Sequence, residues 1–339
     1  MRRCALITGA TGQDGSYLVE FLLARGYQVH AQSRRADTAP MPRQRDLHWH
    51  TADICDSGAL HTLIAEVQPD EIYNLASISR PSVSWQIPLE TAEVNALIPQ
   101  QICELVLKLR PQCRIFQATS SEIFGNSAIS PQDEETPCRP QSPYGIAKLY
   151  AHLTIGSYRT KYRLHASSGI MFNHESPRRP LSYVSQKIAF AAAAVSIGLR
   201  DTSEMDERGQ PLLQDGKVTL GNLDIRRDFG FAGDYVAAMH AMLQCDTADD
   251  YVIGTGQSNS IRAFCETAFR HVGCNWTDHV TLDRSLFRTT DSYHTVADSS
   301  KIAARLGWHP KTSFIDLVAM MVDHQVKRLA VIEPKSIGP

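Results

Sequence analysis

The stretch CALITGATGQDGSYLVEFLLARG, residues 4–26, decides the fold. An apolar run of strand length leads directly into a glycine-rich turn, and an amphipathic segment of helix length follows. Within the turn, Gly9, Gly12 and Gly15 stand at the spacing G-x-x-G-x-x-G. Glycines let a backbone approach a pyrophosphate closely, and the amides at a helix N-terminus favour a bound anion. This context favours a dinucleotide-binding turn over a merely tight connection between a strand and a helix.

Strand-length and helix-length segments alternate over the first part of the chain. They are CALITG, YLVEFLLARG, YQVHAQ, ALHTLIAEVQ, EIYNLA, NALIPQQICELVLKL and RIFQAT, in that order. Right-handed crossovers build a parallel sheet from such an alternation. The sequence therefore predicts an α/β fold with a doubly wound, Rossmann-like sheet.

The alternation loosens after Ile170, which predicts a smaller C-terminal α/β domain that binds substrate. We expect the dinucleotide-binding domain at 1–172 plus about 224–250. The substrate-binding domain is expected at about 173–223 plus 251–330, with a tail at 331–339. The polar segment RDTSEMDERGQPLLQDGK, residues 200–217, is predicted to form an exposed hairpin or loop insertion.

The composition is that of an ordinary globular protein. The 339 residues, 43% of them hydrophobic and 21% charged, suffice for one large or two moderate cores, and the net charge of −2 gives no nucleic-acid or membrane footprint. The eight scattered cysteines lack metal-ligand spacing, which predicts reduced thiols, no metal site and a cytoplasmic location. We expect neither a secretory leader nor a membrane span, since the longest apolar candidate, residues 188–197, is too short.

The end of the second predicted strand, YQVHAQSRRAD, bears on the choice of cofactor. Ser33, Arg34 and Arg35 stand where an NAD enzyme usually offers a carboxylate to the ribose. Two guanidiniums suit a 2′-phosphate, so NADP is favoured over the alternative of two solvated surface arginines. Asp53, after the third predicted strand, is a candidate acceptor for the adenine amine, although a loop carboxylate is more often simply solvated.

Two further segments carry candidate proton-transfer groups. In SPYGIAKLY, Tyr144 and Lys148 are four residues apart and face one side of a helix. An ammonium beside a phenol favours the phenolate, which is a usable base. Such a pair is common on any helix, but here it follows a dinucleotide turn and QATSSEIFGN, a strand end that carries Ser120 and Glu122.

The chain resembles the extended short-chain dehydrogenase/reductase family and, within it, the GDP-mannose 4,6-dehydratases. The resemblance covers nearly the whole length and rests on GATGQDGSYL, EIYNLA, QATSSEIFG, QSPYGIAKLYAH, GIMFNHESPRR, GNLDIRRDFGFAGDYVAAM and LGWHPKTSF. It implies that NADP oxidises the sugar at C4, that water leaves across C5 and C6, and that the hydride returns to C6. Tyr144, activated by Lys148, would take the C4 hydroxyl proton. Glu122 would be the base at C5, and Ser120 would orient the C4 oxygen.

The resemblance also assigns binding residues and an assembly. The residues assigned to the cofactor are Gly9, Thr11, Gly12, Gln13, Asp14, Gly15, Arg34, Arg35, Asp53, Ile54, Leu75, Ala76, Ser77, His174 and Arg179. The residues assigned to the GDP-sugar substrate are Ser79, Asn173, Lys187, Arg227 and Arg288. For each basic residue the alternative is a solvated salt bridge. The resemblance implies a homodimer or homotetramer.

The chain departs from the family pattern at several positions. The family usually has threonine at Ser120, glutamine at Ile78, tyrosine at Glu90 and tryptophan at Phe229, and it differs most from this chain in the loop FRTTDSY. These departures lie mostly on the substrate side, so another GDP-hexose or a GDP-heptose stays open as substrate. An epimerase or reductase of the same fold, with less need for Glu122, stays open as well. A sensor of NADP or sugar nucleotide would need no positioned base.

Overall fold

A computed structural model of the protein describes residues 2–34, 45–287 and 295–332. Its strands are β1 Cys4–Thr8, β2 Gln28–Ser33, β3 Leu47–Thr51, β4 Glu71–Asn74, β5 Arg114–Ser120, β6 Ala166–Met171, β7 His174–Glu175, β8 Val218–Leu220, β9 Arg226–Asp228, β10 Gly230–Phe231, β11 Tyr251–Ile253, β12 Ser258–Ser260 and β13 Val280–Leu282. Its α-helices are α1 Gln13–Leu23, α2 Ser57–Val67, α3 Pro81–Ser84, α4 Pro88–Ala92, α5 Ile98–Leu109, α6 Pro143–Tyr162, α7 Val184–Ser196, α8 Ala232–Gln244, α9 Ile261–His271, α10 Ser300–Leu306 and α11 Phe314–Ile332.

The chain divides into two compact units. The first unit comprises Met1–Phe172, Ala232–Gly256 and Val296–His309, and the second comprises Asn173–Phe231, Gln257–Thr295 and Pro310–Pro339. The first boundary between the units lies after Phe172. Residues 224–231 belong instead to the second unit, because β9 and β10 pair with β12 and β7. Strand β11 belongs to the first unit, because it pairs with β6.

The first unit is built on a parallel sheet in the order β11-β6-β5-β4-β1-β2-β3. From the central strand β1 the chain winds outward through β2 and β3, and then returns to build β4, β5, β6 and β11 on the other side. This topology confirms the predicted doubly wound fold. The strand order reverses between β1 and β4, and in open parallel sheets ligands bind beyond the carboxyl ends of the strands at such a point.

Helices cover both faces of this sheet, and the alternation of side chains along β1 shows why. Ile7 points to one face and packs in a fully buried cluster with Leu18 of α1 and Met239 of α8. Its neighbour Leu6 points to the opposite face and packs with Ile102 of α5. Successive residues of a strand face opposite sides, so an uninterrupted apolar run predicts a strand buried on both.

The second unit packs helices around an alanine-rich segment of α7. Residues Ala191–Ala194 are fully buried in a cluster with Phe264 of α9 and Met321 of α11. The polar segment 200–217 carries two short antiparallel bridges, Met205 with Pro211 and Gln214 with Lys217, in keeping with the predicted hairpin. Among the described residues of the whole chain, no helix has both the length and the apolar character that crossing a membrane requires.

Candidate active site

The glycine-rich turn between β1 and α1 packs tightly against neighbouring backbone. Gly9 has a φ of +65°, and a Cβ atom there would lie 2.8 Å from the backbone of Ala76. A Cβ atom at Gly15 would lie 2.4 Å from the carbonyl oxygen of Gly9. Gly12 precedes the helix and has no side chain to cap the first-turn amides. A backbone cradle at a helix N-terminus fits the pyrophosphate of a dinucleotide.

Buried polar side chains hold this turn in place. Gln32 accepts a hydrogen bond from the amide of Gly9 at 3.0 Å and donates one to the carbonyl of Ala52 at 2.6 Å. The hydroxyl of Thr11 lies 3.4 Å from that of Ser33. Sequence analysis missed Gln32; the available signal is a glutamine near the end of a predicted strand that leads to the cofactor turn.

The end of β2 places a cation near a carboxylate. Arg34 is exposed directly after β2, and Asp53 is exposed in the turn after β3. Both charges act on the thiol of Cys55: burial and then Asp53 raise its pKa to about 11, and Arg34 opposes them. Asp53 also accepts the amide of Cys55 at 3.0 Å, while Ile54 is buried in the core. Arg35 lies outside the described residues.

The segment after β4 is fixed by Asn95. This buried residue lies in a π-helical turn, Glu93–Leu97, and its side-chain oxygen accepts from the Ser77 hydroxyl and the Ile78 amide, both at 3.0 Å. Its side-chain nitrogen donates to the Ile78 carbonyl at 3.0 Å. Asn95 therefore sets the backbone that leads to Ser79. Sequence analysis missed it, although an asparagine within EVNALIP is a polar interruption of an apolar helix.

Ser120 and Glu122 lie at the carboxyl end of β5. Ser120 ends the strand, and its hydroxyl caps the 3-10 turn Ser121–Ile123 by accepting the amide of Glu122 at 3.3 Å. This turn packs against the start of α6, where a Cβ atom on Gly145 would lie 2.8 Å from the Glu122 carbonyl oxygen. The absence of a side chain at Gly145 brings the residue after Tyr144 against the carbonyl of Glu122.

The N-terminus of α6 orients Tyr144. Ser142 caps the helix by accepting the amide of Gly145 at 3.0 Å, and Pro143 occupies its first position. The amide of Tyr144 instead donates to the hydroxyl of Ser84 at 3.1 Å. Tyr144 is thus buried at the helix start, with the ammonium of Lys148 5.8 Å from its ring centroid. Ser84 is a third residue that sequence analysis missed.

Lys148 is buried, and its ammonium donates to a backbone carbonyl. Its Nζ atom donates to the carbonyl of Ala118 at 2.9 Å, and its exposed fraction is 3%. Burial lowers the pKa of Lys148 to about 8, and the carboxylate of Asp14 acts in the opposite direction. The ammonium form of Lys148 therefore predominates at neutral pH, which lies about one pH unit below this pKa.

The predicted cofactor-binding and substrate-binding residues of the second unit lie in different local settings. His174 and Gly230 pair across β7 and β10, and the Asn173 carbonyl accepts the Gly230 amide at 2.9 Å. Arg179 forms an ion pair of 3.1 Å with Glu175 and stacks on the ring of a nearby tyrosine. Arg227 lies in β9, and Arg288 lies outside the described residues.

Lys187 is held by two carboxylates of the segment 200–217. Its Nζ atom lies 2.9 Å from Glu207 and 3.7 Å from Asp206. Asp206 also pairs with Arg208 at 2.9 Å and accepts the amides of Arg208 and Gln210. A polar cavity of about 720 Å³ lies beside this cluster, with Lys187, Asp206, Arg208 and Lys217 among its lining.

Comparison with known proteins identifies the family. A family model described as GDP-mannose 4,6 dehydratase matches residues 6–321. The chain belongs to the GDP-mannose 4,6-dehydratase family. GDP-mannose 4,6 dehydratase 1 of Arabidopsis thaliana is 41% identical over 342 residues, covering 96% of this chain and 90% of the relative. The human GDP-mannose 4,6 dehydratase is 38% identical over 357 residues, covering 96% of this chain and 92% of the human protein.

A solved structure supports the fold. The UDP-glucose 4-epimerase of Thermotoga maritima, solved with UDP-glucose, has a TM-score of 0.83 at 20% identity and covers 96% of this chain and 99% of the epimerase. At that identity the likeness concerns the fold alone. The GDP-mannose 4,6-dehydratase family model and the curated relatives confirm the resemblance to that family and the prediction of an enzyme of the dehydratase class.

The departures from the GDP-mannose 4,6-dehydratase pattern have distinct environments. Ile78 is half-buried and held by Asn95, as described above. Glu90 is exposed on α4. Phe229 is buried in the second unit, with its ring centroid 5.6 Å from that of Phe264, so it fills the core of that unit. Beyond Phe287 the loop FRTTDSY lies outside the described residues.

Proposed function

We propose that this chain is an NADP-dependent nucleotide-sugar 4,6-dehydratase that converts GDP-mannose or a close GDP-sugar to its 4-keto-6-deoxy derivative. One observation carries the proposal: the turn bearing Glu122 packs against the first turn of α6, which bears Tyr144. Two proton-transfer groups of different chemistry thus share one end of the sheet. A simple reductase or epimerase needs the tyrosine and the lysine but has less need for the glutamate.

The first unit provides a site that fits a nicotinamide dinucleotide. Gly9, Gly12 and Gly15 allow the backbone to fold tightly at the start of α1, where a helix N-terminus suits a pyrophosphate, and Arg34 provides a guanidinium for a 2′-phosphate. When bound, the cofactor supplies a hydride acceptor for C4 and a hydride donor for C6. The buried ammonium of Lys148 adds a positive charge beside Tyr144.

Tyr144 and Ser120 act on the C4 hydroxyl group in this proposal. The Tyr144 phenolate accepts the hydroxyl proton as the carbon loses its hydride, and the ammonium of Lys148 favours that phenolate. Ser120 orients the C4 oxygen by hydrogen bonding. The C4 carbon becomes a ketone, which acidifies the hydrogen at C5.

Glu122 performs the elimination. Its carboxylate removes the C5 proton, the bond between C6 and its hydroxyl oxygen breaks, and the proton passes to that oxygen so that water leaves. C6 then receives the hydride that C4 lost, and C5 receives a proton. That proton balances the one that the C4 hydroxyl group gave up in the first step. The net reaction releases one water without net oxidation or reduction.

We further propose that four described residues bind the GDP-sugar. They are Ser79, Asn173, Lys187 and Arg227, with the cations suited to a diphosphate. The homodimer or homotetramer remains a prediction, which light scattering during size-exclusion chromatography checks.

Incubation of the purified chain with NADP and a panel of GDP-sugars tests the reaction. Mass spectrometry of the product should show the loss of one water, with no net formation of reduced cofactor. An isobaric product would instead identify an epimerase, and stoichiometric cofactor consumption would identify a reductase. A lack of turnover on the whole panel would favour a sensor.

The variant Glu122→Gln tests the assigned base. It should bind GDP-sugar and form reduced cofactor transiently, but release dehydrated product at least 100-fold more slowly, the scale of general-base loss. Glu135→Gln is the matched control, since Glu135 is exposed in a loop of the same unit and should leave turnover unchanged. Full dehydratase activity in Glu122→Gln would remove Glu122 from the mechanism.

A further inference from the structure

Three polar side chains form a buried row across the centre of the sheet. Thr8, Asn74 and Gln117 occupy matching positions on the neighbouring strands β1, β4 and β5. Their exposed fractions are 0%, 1% and 2%. Buried polar groups require hydrogen-bond partners, and a fully satisfied network rigidifies the elements that carry it.

The hydrogen bonds of the row run in one direction, and Thr8 sets that direction. Its hydroxyl oxygen accepts the amides of Leu75 and Ala76, both at 3.1 Å, so its single proton goes to the side-chain oxygen of Asn74 at 2.7 Å. The amide nitrogen of Asn74 then donates to the side-chain oxygen of Gln117 at 2.8 Å. Oxygen and nitrogen of such amides are told apart by their network, and here each assignment follows from the one before.

The row ends at the carbonyl that also holds the lysine. The amide nitrogen of Gln117 donates to the carbonyl oxygen of Ala118 at 2.9 Å, and Lys148 Nζ donates to the same oxygen at 2.9 Å. A carbonyl oxygen has two lone pairs, so these two donors account for its acceptor capacity. The position of Lys148 thereby depends on a carbonyl whose second partner is Gln117.

We infer that Gln117 is a positioning residue for Lys148: it shares the Ala118 carbonyl with the lysine and, through Asn74 and Thr8, fixes that carbonyl relative to the strand end at Leu75–Ala76. The inference deepens the proposed function and rests on it where it concerns catalysis. The charged and titratable groups facing this ammonium include Asp14 on α1 and Tyr144 on α6 itself. Gln117 is a neutral donor to the same Ala118 carbonyl oxygen. Its hydrogen bond draws electron density from that oxygen, so the oxygen stabilises the ammonium of Lys148 less.

Removing the Gln117 donor should therefore shift the titration of Lys148 to higher pH. Gln117→Met keeps the length of the side chain but has no amide group. It should move the midpoint of the Lys148 titration upward by roughly half a pH unit. Gln117→Glu retains an acceptor for Asn74, removes the donor and adds a negative charge, so it should move the midpoint further in the same direction. The measurement is the pH dependence of the ¹³Cε and ¹⁵Nζ shifts of Lys148, assigned by their loss in Lys148→Met.

Gln132→Met is the matched control, because Gln132 is equally buried and makes the same kind of contacts away from Lys148. It donates to the Ile129 carbonyl at 2.6 Å and accepts the Val296 amide at 3.0 Å. This control should lose stability without moving the Lys148 midpoint. The alkaline limb of the rate profile should follow the NMR midpoint in the Gln117 variants, with kcat reduced several-fold and KM little changed.

Unchanged Lys148 midpoints in folded Gln117→Met and Gln117→Glu would overturn the inference, since the row would then serve stability alone. If Gln117→Met fails to fold by circular dichroism, the titration of Gln117→Glu decides. The NMR titration needs no substrate. A wild-type chain that turns over no GDP-sugar would therefore defeat the proposed function while leaving the result on Gln117 valid.

Discussion

The ammonium of Lys187 lies 2.9 Å from a carboxylate oxygen of Glu207, a residue of the polar segment 200–217. Burial acts to raise the pKa of Glu207, but the hydrogen bond and positive charge of Lys187, together with a backbone hydrogen bond, hold that pKa below its ordinary value. The carboxylate is therefore ionised at neutral pH. A diphosphate that binds Lys187 must compete with it.

Glu207→Gln should consequently strengthen GDP binding. Removal of a half-exposed competing charge is worth about 0.5–1 kcal/mol, which corresponds to a roughly twofold to fivefold lower Kd. Isothermal titration calorimetry with GDP measures the effect, and it should fade at high salt. Glu266→Gln, which removes an exposed carboxylate paired with Arg270 in the same unit, should leave the Kd unchanged. A weaker affinity in Glu207→Gln would contradict the assignment of Lys187 to the diphosphate.

Lys148→Met should stabilise the fold while abolishing turnover. The folded-state pKa of about 8, against 10.5 for the free side chain, means that burial of the ammonium costs about 3 kcal/mol below pH 8. The variant is spared this cost, but it also loses the hydrogen bond to the Ala118 carbonyl, which is worth about 1 kcal/mol. Because the unfolded chain binds more protons between pH 8 and 10.5, the wild type gains stability relative to the variant as pH rises through that window.

Urea unfolding at pH 7 and at pH 10 checks this sign. The variant should be more stable by about 2 kcal/mol at pH 7, and the difference should shrink at pH 10. Lys301→Met is the control: this lysine forms a 2.9 Å ion pair with Asp249, so its removal should destabilise the fold. A Lys148→Met protein that is less stable than the wild type at pH 7 would show that the hydrogen bond outweighs the cost of burial.

Arg34→Asp should change the cofactor preference from NADP to NAD. A carboxylate at the end of β2 repels a 2′-phosphate and accepts hydrogen bonds from an unmodified ribose. The ratio of kcat/KM values for the two cofactors should change by roughly 100-fold, or about 3 kcal/mol. Arg25→Asp places the same charge change on an exposed arginine beyond the end of α1 and should leave the ratio unaltered. An unaltered ratio in Arg34→Asp would return Arg34 to the status of a solvated surface cation.

Gly15→Ala should damage the cofactor site without unfolding the chain. The new Cβ atom would lie 2.4 Å from the Gly9 carbonyl oxygen and 2.6 Å from the Ala10 Cα atom, so the turn must move. We expect NADP affinity to fall at least tenfold by fluorescence titration. Gly156→Ala in α6 meets an atom only at 3.7 Å and should be neutral or stabilising by about 1 kcal/mol. Wild-type affinity in Gly15→Ala would show that this turn does not hold the cofactor.

The sequence predicts the sheet well because strand and helix periods are local properties. The apolar run before Gly9 and the polar end of β5 are both readable without coordinates, as is the spacing of Tyr144 and Lys148. The pairing of β11 with the parallel sheet is harder to predict from the sequence. Tyr251–Ile253 is a three-residue strand, and its partner β6 lies about 80 residues earlier in the chain.

The contacts that connect elements are harder to predict than the elements. Thr8, Asn74 and Gln117 form a row only because three strands share a register, and residue spacing does not encode that register. The role of Asn95 depends on a π-helical turn that has no simple sequence period. The partners of Lys187, Asp206 and Glu207, come from the polar segment 200–217, and residue spacing does not indicate that this segment approaches α7.

The distribution of the first unit over three separate stretches of chain has a consequence for its biosynthesis. Strand β11 completes the sheet edge beside β6, and α10 follows it only at Ser300–Leu306. A ribosome that has released only the first 172 residues therefore presents β6 with an unpaired edge, a ready template for aggregation. The unit reaches its final form only when nearly the entire polypeptide has emerged, so a fragment ending at Phe172 should be a poor substitute for the intact chain.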